Sequence, residues 1–386
     1  MGSKSISLNS ARKTRRRHRA ESKRVRYAVV GLGHIAQVAV LPAFSHAGRN
    51  SQLTALISDD SNKLKQLAKR YDVPHRYSYR QYDQCLKEGA FDAVYIALPN
   101  SVHCDFAVRA AKAGIHVLCE KPMAVTEQEC RRMIQASEKA RVKLMVAYRL
   151  HFEEANMSTV DLAQSGKLGD LRFFNSVFAM QVRPGDIRVK AGLGGGSLYD
   201  IGVYCINAAR YVFKDNPVEA SASIVRGTDR RFREIDEMAA VWLRFPGDRV
   251  ATFICSFGAA DASSYEVIGT KGQVRLCPAF EYAGSLDQQR VLNGASRSHR
   301  YKAGDQFAPE LLYFSDCILR NTTPEPSGRE GLIDVMIVQA LYRSARTGRP
   351  VRLSLPKKKE WPSSDQVIWR PPVSKPKLVN VESPSL

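Results

Sequence analysis

Residues 27–36 read YAVVGLGHIA. The first four are a short apolar run that stops at glycine, the pattern of a strand buried on both faces. The last residues open a helical pattern that continues through Val38, Val40 and Leu41. Between them lies GLGHIA (31–36), the turn that decides the fold. Gly31 allows a tight turn, Gly33 lets the backbone approach a pyrophosphate, and Ala36 permits close contact of helix and strand. His34 and Ile35 complete the turn, and the helix start offers free N–H groups and a favourable dipole to an anion. A glycine after a buried strand is also an ordinary turn, so the flanking sequence must choose between the readings.

Four more strands follow: LTALI (53–57), AFDAVYIALP (90–99), HVLCEKP (116–122) and KLMVAYR (143–149). Helical patterns separate them at 61–71, at 103–114 with Gly114 as the stop, and at 126–141 with Thr126 as the cap. Strands alternating with helices at this spacing predict βαβ units, hence a parallel, doubly wound Rossmann domain over 25–148. The second strand ends L-I-S-D-D-S-N-K. An acid directly after that strand would accept from a ribose 2′-hydroxyl and repel a 2′-phosphate. Ser58 stands there instead, able to donate to a phosphate, and Lys63 adds charge. The expected cofactor is therefore NADP. Asp59 and Asp60 argue for NAD, which stays as the alternative.

After about residue 150 the pattern changes. A helix over 153–165 leads to a long strand, LRFFNSVFAMQVR (171–183). VEASASIV (218–225), EMAAVWLRF (237–245), RVATFICSF (249–257), SYEVIGT (264–270) and GQVRL (272–276) then follow with short turns, as in an antiparallel meander. Helices at 309–320 and 330–346 pack back near the first domain. The expectation for 149–355 is an α+β domain with a large, mostly antiparallel, open-faced sheet. Helices cover one face; the other serves association into a homodimer or homotetramer. Residues 356–386, rich in Lys, Pro and Ser, read as an extended tail.

The chain has 386 residues, 44% apolar and 25% charged, as in a soluble globular protein with room for two cores. No apolar run approaches the ~18 residues of a membrane span, and no apolar segment follows the basic start as in a secretion signal, so a cytoplasmic location is expected. The formal charge is +20, and ten of the Lys and Arg lie in residues 1–26 against one acid. Residues 1–24 read as a disordered basic tail or an arm on a neighbouring subunit; nucleic acid is the less favoured partner. The mildly basic remainder suits an anionic ligand. The eight cysteines form no C-x-x-C pair, so buried free thiols and no metal site are expected.

A second motif lies at 194–207, GGGSLYDIGVYCIN. Ser197 is placed to cap a helix. Asp200 and Tyr204, one turn apart, share a face. Gly202 lies nearly opposite, where it lets the helix pack closely. The Ser197-to-Asp200 spacing also fits a capping box, so pure capping stays open for Asp200.

The glycine turn, ALPNSVH (97–103), CEKP (119–122), YRLH (148–151) and GGGSLYDIGVY (194–204) occur in the order seen in the Gfo/Idh/MocA oxidoreductases. The chain resembles that family over 25–355, most closely its glucose–fructose oxidoreductase branch. The resemblance implies a two-domain NAD(P) enzyme that moves a hydride between nicotinamide and a carbinol or carbonyl carbon of a sugar or polyol. It implies that Lys121 reaches the nicotinamide and the reacting hydroxyl, that Asp200 orients a hydroxyl, and that Tyr204 exchanges the proton. Pro99, Asn100, His103, Glu120 and Arg149 would contact the cofactor, and Arg188 the sugar. Plainer readings stand beside these: a surface pair for Glu120 and Lys121, a helix cap for His103, a solvated side chain for Arg188. Loops 183–193 and 278–305 would carry specificity. Two other functions fit the same fold: a glycosidase with an internal NAD redox relay, and a cofactor- or sugar-sensing regulator.

Overall fold

The structure, a computed structural model, describes residues 23–358 and 360–386, and all counts of elements and partners are of these residues. The expected basic segment 1–24 lies outside them apart from Lys23 and Arg24. The first sheet has six parallel strands: β1 (Val25–Val30), β2 (Ser51–Ile57), β3 (His75–Tyr77), β4 (Ala93–Ile96), β5 (His116–Glu120) and β6 (Leu144–Ala147). Their order is β3-β2-β1-β4-β5-β6, so the chain reverses direction across the sheet between β1 and β4. A crevice at the carboxyl ends of those two strands is where this architecture receives ligands. The strands are almost wholly buried, which is why they read as continuous apolar runs.

Gly31 ends β1 at φ +95°, and a Cβ there would lie 2.4 Å from the carbonyl oxygen of Ala97 at the end of β4. Only glycine allows the two strand ends to meet so closely. A Cβ on Gly33 would touch nothing within 4 Å, so that residue faces open space. The chain then winds through one wide π-turn, Ala36–Val40, into α1 (Leu41–Ala47). The other helices of this half are α2 (Ser61–Tyr71), α3 (Tyr82–Lys87), α4 (His103–Lys112) and α5 (Glu127–Ala140). Thr126 caps α5 in a full capping box with Glu129, as its sequence predicts. The sixth strand, β3, was not expected: three residues are too few to show a period.

The second half holds α6 (Glu154–Gln164), β7 (Leu171–Ala179), α7 (Val203–Phe213), β8 (Glu219–Val225), β9 (Met238–Phe245), β10 (Arg249–Ser256), β11 (Ala262–Gly269) and β12 (Gly272–Leu276). Then come β13 (Leu286–Leu292), β14 (Ala295–Tyr301), α8 (Phe307–Arg320), α9 (Gly328–Thr347) and β15 (Val351–Arg352). Nine strands form one sheet in the order β14-β13-β12-β11-β7-β10-β9-β8-β15. The expected meander needs two corrections. β7 inserts between β10 and β11 and runs parallel to β10, with Val250 opposite Phe173. Most of loop 278–305 is the hairpin β13–β14, turned by Asn293 and Gly294 at φ +50° and +76°. That dipeptide suits a tight hairpin because both positions need positive φ.

α7 lies across the inner face of this sheet and is buried almost all round, hence its nearly unbroken apolar sequence. The outer face is uncovered: Phe173 is 41% and Ile254 44% exposed. α8 returns to the first half, where Phe307, Leu311 and Phe314 join the core of β1 and β2. There Asn50 donates to the carbonyl of Leu312 at 2.9 Å, and Tyr27 shares a hydrogen bond with Ser315 at 2.8 Å.

Candidate active site

A cleft of about 490 Å³ opens between the carboxyl ends of the first sheet and the start of α7. Gly33, His34 and Ile35 line one end; Lys121, Asp200 and Tyr204 line the middle, with Asn100, Glu120, Arg149 and Arg188 around them. The chain's larger cleft, about 950 Å³, lies beyond the glycine run against Asp236 and Tyr342 and contains none of the proposed reacting groups.

Lys121 follows the last residue of β5. Its ammonium crosses to the second half and donates to Asp200 Oδ1 at 3.0 Å and to the Asp200 carbonyl at 2.8 Å. The other carboxylate oxygen accepts from Arg188 Nε at 2.6 Å. Asp200 therefore ties Lys121 to Arg188. Burial alone would raise its pKa, but Arg188 and Lys121 outweigh it and hold the carboxyl well below the usual range. Burial would likewise lower Lys121, yet Asp200 and Tyr204 keep its ammonium above the ordinary lysine value. All three side chains of the salt-bridged group are charged at neutral pH.

Tyr204 sits one turn beyond Asp200, with the Lys121 ammonium 4.7 Å from its ring centroid on one side and the Arg149 guanidinium carbon at 5.1 Å. Arg149 Nη2 donates to the phenol oxygen at 3.3 Å. Phe178 and Phe280 pack against the ring, at centroid distances of 5.5 and 5.9 Å. The result is a phenol on an apolar bed, edged by two cations and open to the cleft.

The helix entry differs from its sequence reading. Leu198–Gly202 is a π-turn, and Ser197 makes no side-chain cap. Its hydroxyl bonds to Asp236, which also accepts from the Ser197 N–H at 2.9 Å. Asp200 does not cap either, since both its oxygens are held by cations. Gly202 faces away from the cleft: a Cβ there would lie 3.2 Å from Cys255 Sγ on β10, the close packing expected of it.

Around this centre, Asn100 donates to the Gly194 carbonyl at 2.8 Å and so joins the two halves. Most of Arg149's donors are taken by Gln306, the Phe280 carbonyl and Tyr204. Glu120 accepts from the Tyr95 hydroxyl at 2.8 Å, and burial, partly offset by Lys121, raises its pKa. It is not a surface residue. His34 is pushed below the ordinary histidine value by burial and by Arg188, so its ring is neutral beside the glycine turn.

Four expected contacts are not brought to the cleft: Ser58, Lys63, Pro99 and His103 do not line it. His103 is fully buried, its ring nitrogens within 2.8 Å of the Leu98 carbonyl and 3.0 Å of the Pro122 carbonyl. It fastens the 98–103 turn to the 120–122 turn, and it neither caps its helix nor lines the cleft. Ser58 sits buried at the end of β2. The two acids beside it have other work: Asp60 caps α2 by accepting from the Lys63 N–H at 2.9 Å, and Asp59 accepts from the Tyr79 N–H at 2.8 Å. Phe280–Tyr282, at the start of the expected specificity segment 278–305, wall the cleft. Two features were not foreseen: Glu382–Ser385 close it from the far end of the chain, and Glu310 lies fully buried behind it. Burial and the neighbouring Glu120 lift Glu310 well above the carboxylate range, and neither oxygen has a hydrogen-bond partner among the described residues.

The cleft suits a dinucleotide on its own evidence. At Gly33 a side chain would project into it, Gly31 makes the turn possible, and the turn stands at the sheet's reversal point. Among the described residues no group of His, Cys, Asp and Glu could hold a metal ion, and no helix is long and apolar enough to cross a membrane.

Comparison with known proteins agrees. Residues 25–148 match the oxidoreductase family with an NAD-binding Rossmann fold, and 158–275 match the GFO/IDH/MocA C-terminal domain. A D-xylose 1-dehydrogenase [NADP(+)] of Haloarcula marismortui is 32% identical over 85% of this chain and 93% of its own. The crystal structure of an aldose–aldose oxidoreductase from Caulobacter crescentus, complexed with glycerol, superposes with a TM-score of 0.82 at 37% identity, covering 86% of this chain and all of that one. A 3-ketoreductase from Actinomadura kijaniata, solved with NADP and TDP-benzene, gives 0.77 at 25% identity over 83% and 98%. The chain belongs to the GFO/IDH/MocA family of oxidoreductases.

Proposed function

We infer that this protein is an NADP-dependent oxidoreductase that oxidises or reduces an aldose. The observation that carries the reading is the phenol of Tyr204, open to the cleft and flanked by Lys121 and Arg149. The nicotinamide, when bound, accepts or returns a hydride at the sugar carbon. The remaining work falls to the protein. Oxidation of a carbinol releases its O–H proton, and Tyr204 takes it; in the reverse direction Tyr204 gives it back. Lys121 polarises the same oxygen, its ammonium held in place by Asp200. Arg188, fixed through Asp200, offers a sugar hydroxyl its remaining donors. Phe178, Phe280 and Tyr282 exclude water from the reacting face.

NADP is favoured over NAD because Ser58 stands where an acid would repel a 2′-phosphate, and because Asp59 and Asp60 are engaged elsewhere. The NADP-dependent relatives point the same way. Aldoses are favoured because a xylose dehydrogenase and an aldose–aldose oxidoreductase are among the relatives at 30% identity or more. The same reading assigns the bare outer face around Phe173 and Ile254 to self-association, which sedimentation would detect. The test of function is direct: mix the purified protein with NADP and a panel of aldoses and follow reduced nicotinamide by absorbance. Sugar-dependent formation is expected. Its absence for every aldose, with NADP and with NAD, in both directions, would sink the proposal.

A further inference from the structure

The chain's last described stretch crosses the same cleft. It is first anchored on the nucleotide-binding half. Arg70 donates to the Lys377 carbonyl at 2.7 Å, Leu378 packs on the core of the first sheet, and Val379 is buried in that core. The side chain of Gln37 grips Val379 from both sides. Its Nε2 donates to the Val379 carbonyl at 2.9 Å, and its Oε1 accepts from the Val379 N–H at 2.8 Å. Asn380 then reaches the carboxylate of Asp60, the α2 cap, at 3.3 Å.

Within six residues the chain is anchored again, on the other half. Arg183 pairs with Glu382 at 2.8 Å, and the Arg183 N–H donates to the Pro384 carbonyl at 2.8 Å. Val182 and Ser385 form an antiparallel bridge, and the Leu386 N–H donates to the Gln181 carbonyl at 3.0 Å. Within this second anchorage, Glu382, Ser383, Pro384 and Ser385 line the same cleft as Gly33 and His34.

Gln37 is the telling residue. It is fully buried on the helix that follows the glycine turn. Its amide makes three hydrogen bonds, two of them to a residue 342 positions away and one to the Leu32 carbonyl. A buried amide left unpaired is costly, so this position is built to receive the segment.

We propose that residues 377–386 are a strap belonging to the nucleotide site, which lies over the pyrophosphate of a bound nicotinamide dinucleotide and holds it in the cleft. The proposal rests on reading the cleft as a dinucleotide site. The strap brings the right chemistry to an anion. The hydroxyls of Ser383 and Ser385 bond each other at 3.1 Å, which leaves one O–H to donate to an anion, and the strap's one acidic side chain, Glu382, is paired with Arg183. Since the strap is fastened to both halves, a dinucleotide beneath it leaves only when one anchorage opens. The effect falls on dissociation rather than on hydride transfer.

The test compares the full chain with two variants: one ending after Pro376, and Val379→Asp, which forces a carboxylate into the first core and expels the strap while keeping its length. NADPH is loaded, excess NADP is added, and the loss of nicotinamide fluorescence is timed. Dissociation about tenfold faster or more is expected in both variants, while the nucleotide-free truncation still unfolds in one cooperative transition, at a lower temperature because Val379 leaves the core and Gln37 loses two partners. NADPH is also expected to protect the bonds of 377–386 from protease in the full chain. Equal dissociation rates in all three proteins would overturn the strap and leave the oxidoreductase reading standing. If the full chain binds no dinucleotide, both readings fall together.

Discussion

Two clusters of buried charge lie within this protein, and they share a motif. In the first, Lys121, Asp200 and Arg188 meet at the cleft beside Tyr204. In the second, Arg210 is wholly buried against Glu330 and Asp334; Tyr148 donates to Asp334 at 2.6 Å, and Asn207 donates to both acids at 2.9 Å. His151 links Asn207 to Glu325, and Lys358 bridges Glu325 and Glu330. The sequence YRLH (148–151) feeds both: Tyr148 and His151 turn into the interior network, and Arg149 turns to the cleft. Buried charge alone therefore marks no active site. In the interior cluster the charged groups answer one another and nothing opens on a cavity. At the cleft the charges are just as well paired, but they hold a phenol whose oxygen faces space for a substrate.

That contrast can be broken at either end. Tyr204→Phe removes the hydroxyl proposed to exchange the proton and keeps the aromatic packing. Turnover is expected to fall by about 10²–10⁴-fold with nucleotide affinity kept, as steady-state rates and NADPH titration would read. Arg210→Met strikes the interior cluster and leaves the buried Asp334 without its cation and Glu330 with Lys358 alone. A loss of about 3–5 kcal/mol in denaturant unfolding is expected, with activity per folded molecule nearly unchanged. A result the other way round, stability lost at Tyr204 or chemistry lost at Arg210, would erase the distinction.

Asp200→Asn tests the overlap, because this residue is both a structural tie and part of the site. Turnover should drop by roughly ten- to a hundredfold as Lys121 loses its anchor. Stability should fall by about 1–3 kcal/mol. The pH dependence sharpens this further. The folded Asp200 carboxyl titrates below its unfolded value of about 3.9, so its stabilisation is complete above that pH and fades as pH falls through the folded value. The stability gap between parent and Asp200→Asn should stay constant from about pH 8 to 5 and narrow below about pH 4. A gap that widened in acid would contradict the ion pairs described.

The first sheet was legible because its strands are buried on both faces, and a short, continuous apolar run between turn residues, repeated at βαβ spacing, fits little else. Gly202 was legible because a glycine inside a helix is costly and implies a close approach, which is there, to Cys255; Gly31 was legible as a turn, and its φ is positive, but its contact with Ala97 was not. The facing of Asp200 and Tyr204 followed from their i, i+4 spacing. Long-range partners were not legible. Nothing local says that Ser197 gives its hydroxyl to Asp236, that His103 holds two main-chain carbonyls, or that Glu310 lies behind Glu120. Each depends on which distant element arrives at that side chain. The β13–β14 hairpin is a different case: Asn293-Gly294 was a usable local signal within a polar stretch whose strands bury little. Residues 377–386 carry no periodic pattern, and their composition indicates extension without saying what they lie upon.

The placement of α8 bears on how the protein is made. The nucleotide-binding half takes part of its core from Phe307, Leu311 and Phe314, about 160 residues beyond its last strand. At synthesis rates of about 5–20 residues per second, that strand exists for roughly 10–30 s before α8 is complete. During that interval the flank of β1 and β2 meant for α8 stands bare, with Asn50 and Ser51 short of their partners. A nascent chain halted near residue 150 would offer chaperones a sticky, unfinished sheet. A fragment cut at the same place for crystallisation or engineering would inherit that flaw, whereas one extended through Arg320 would bring the missing layer with it.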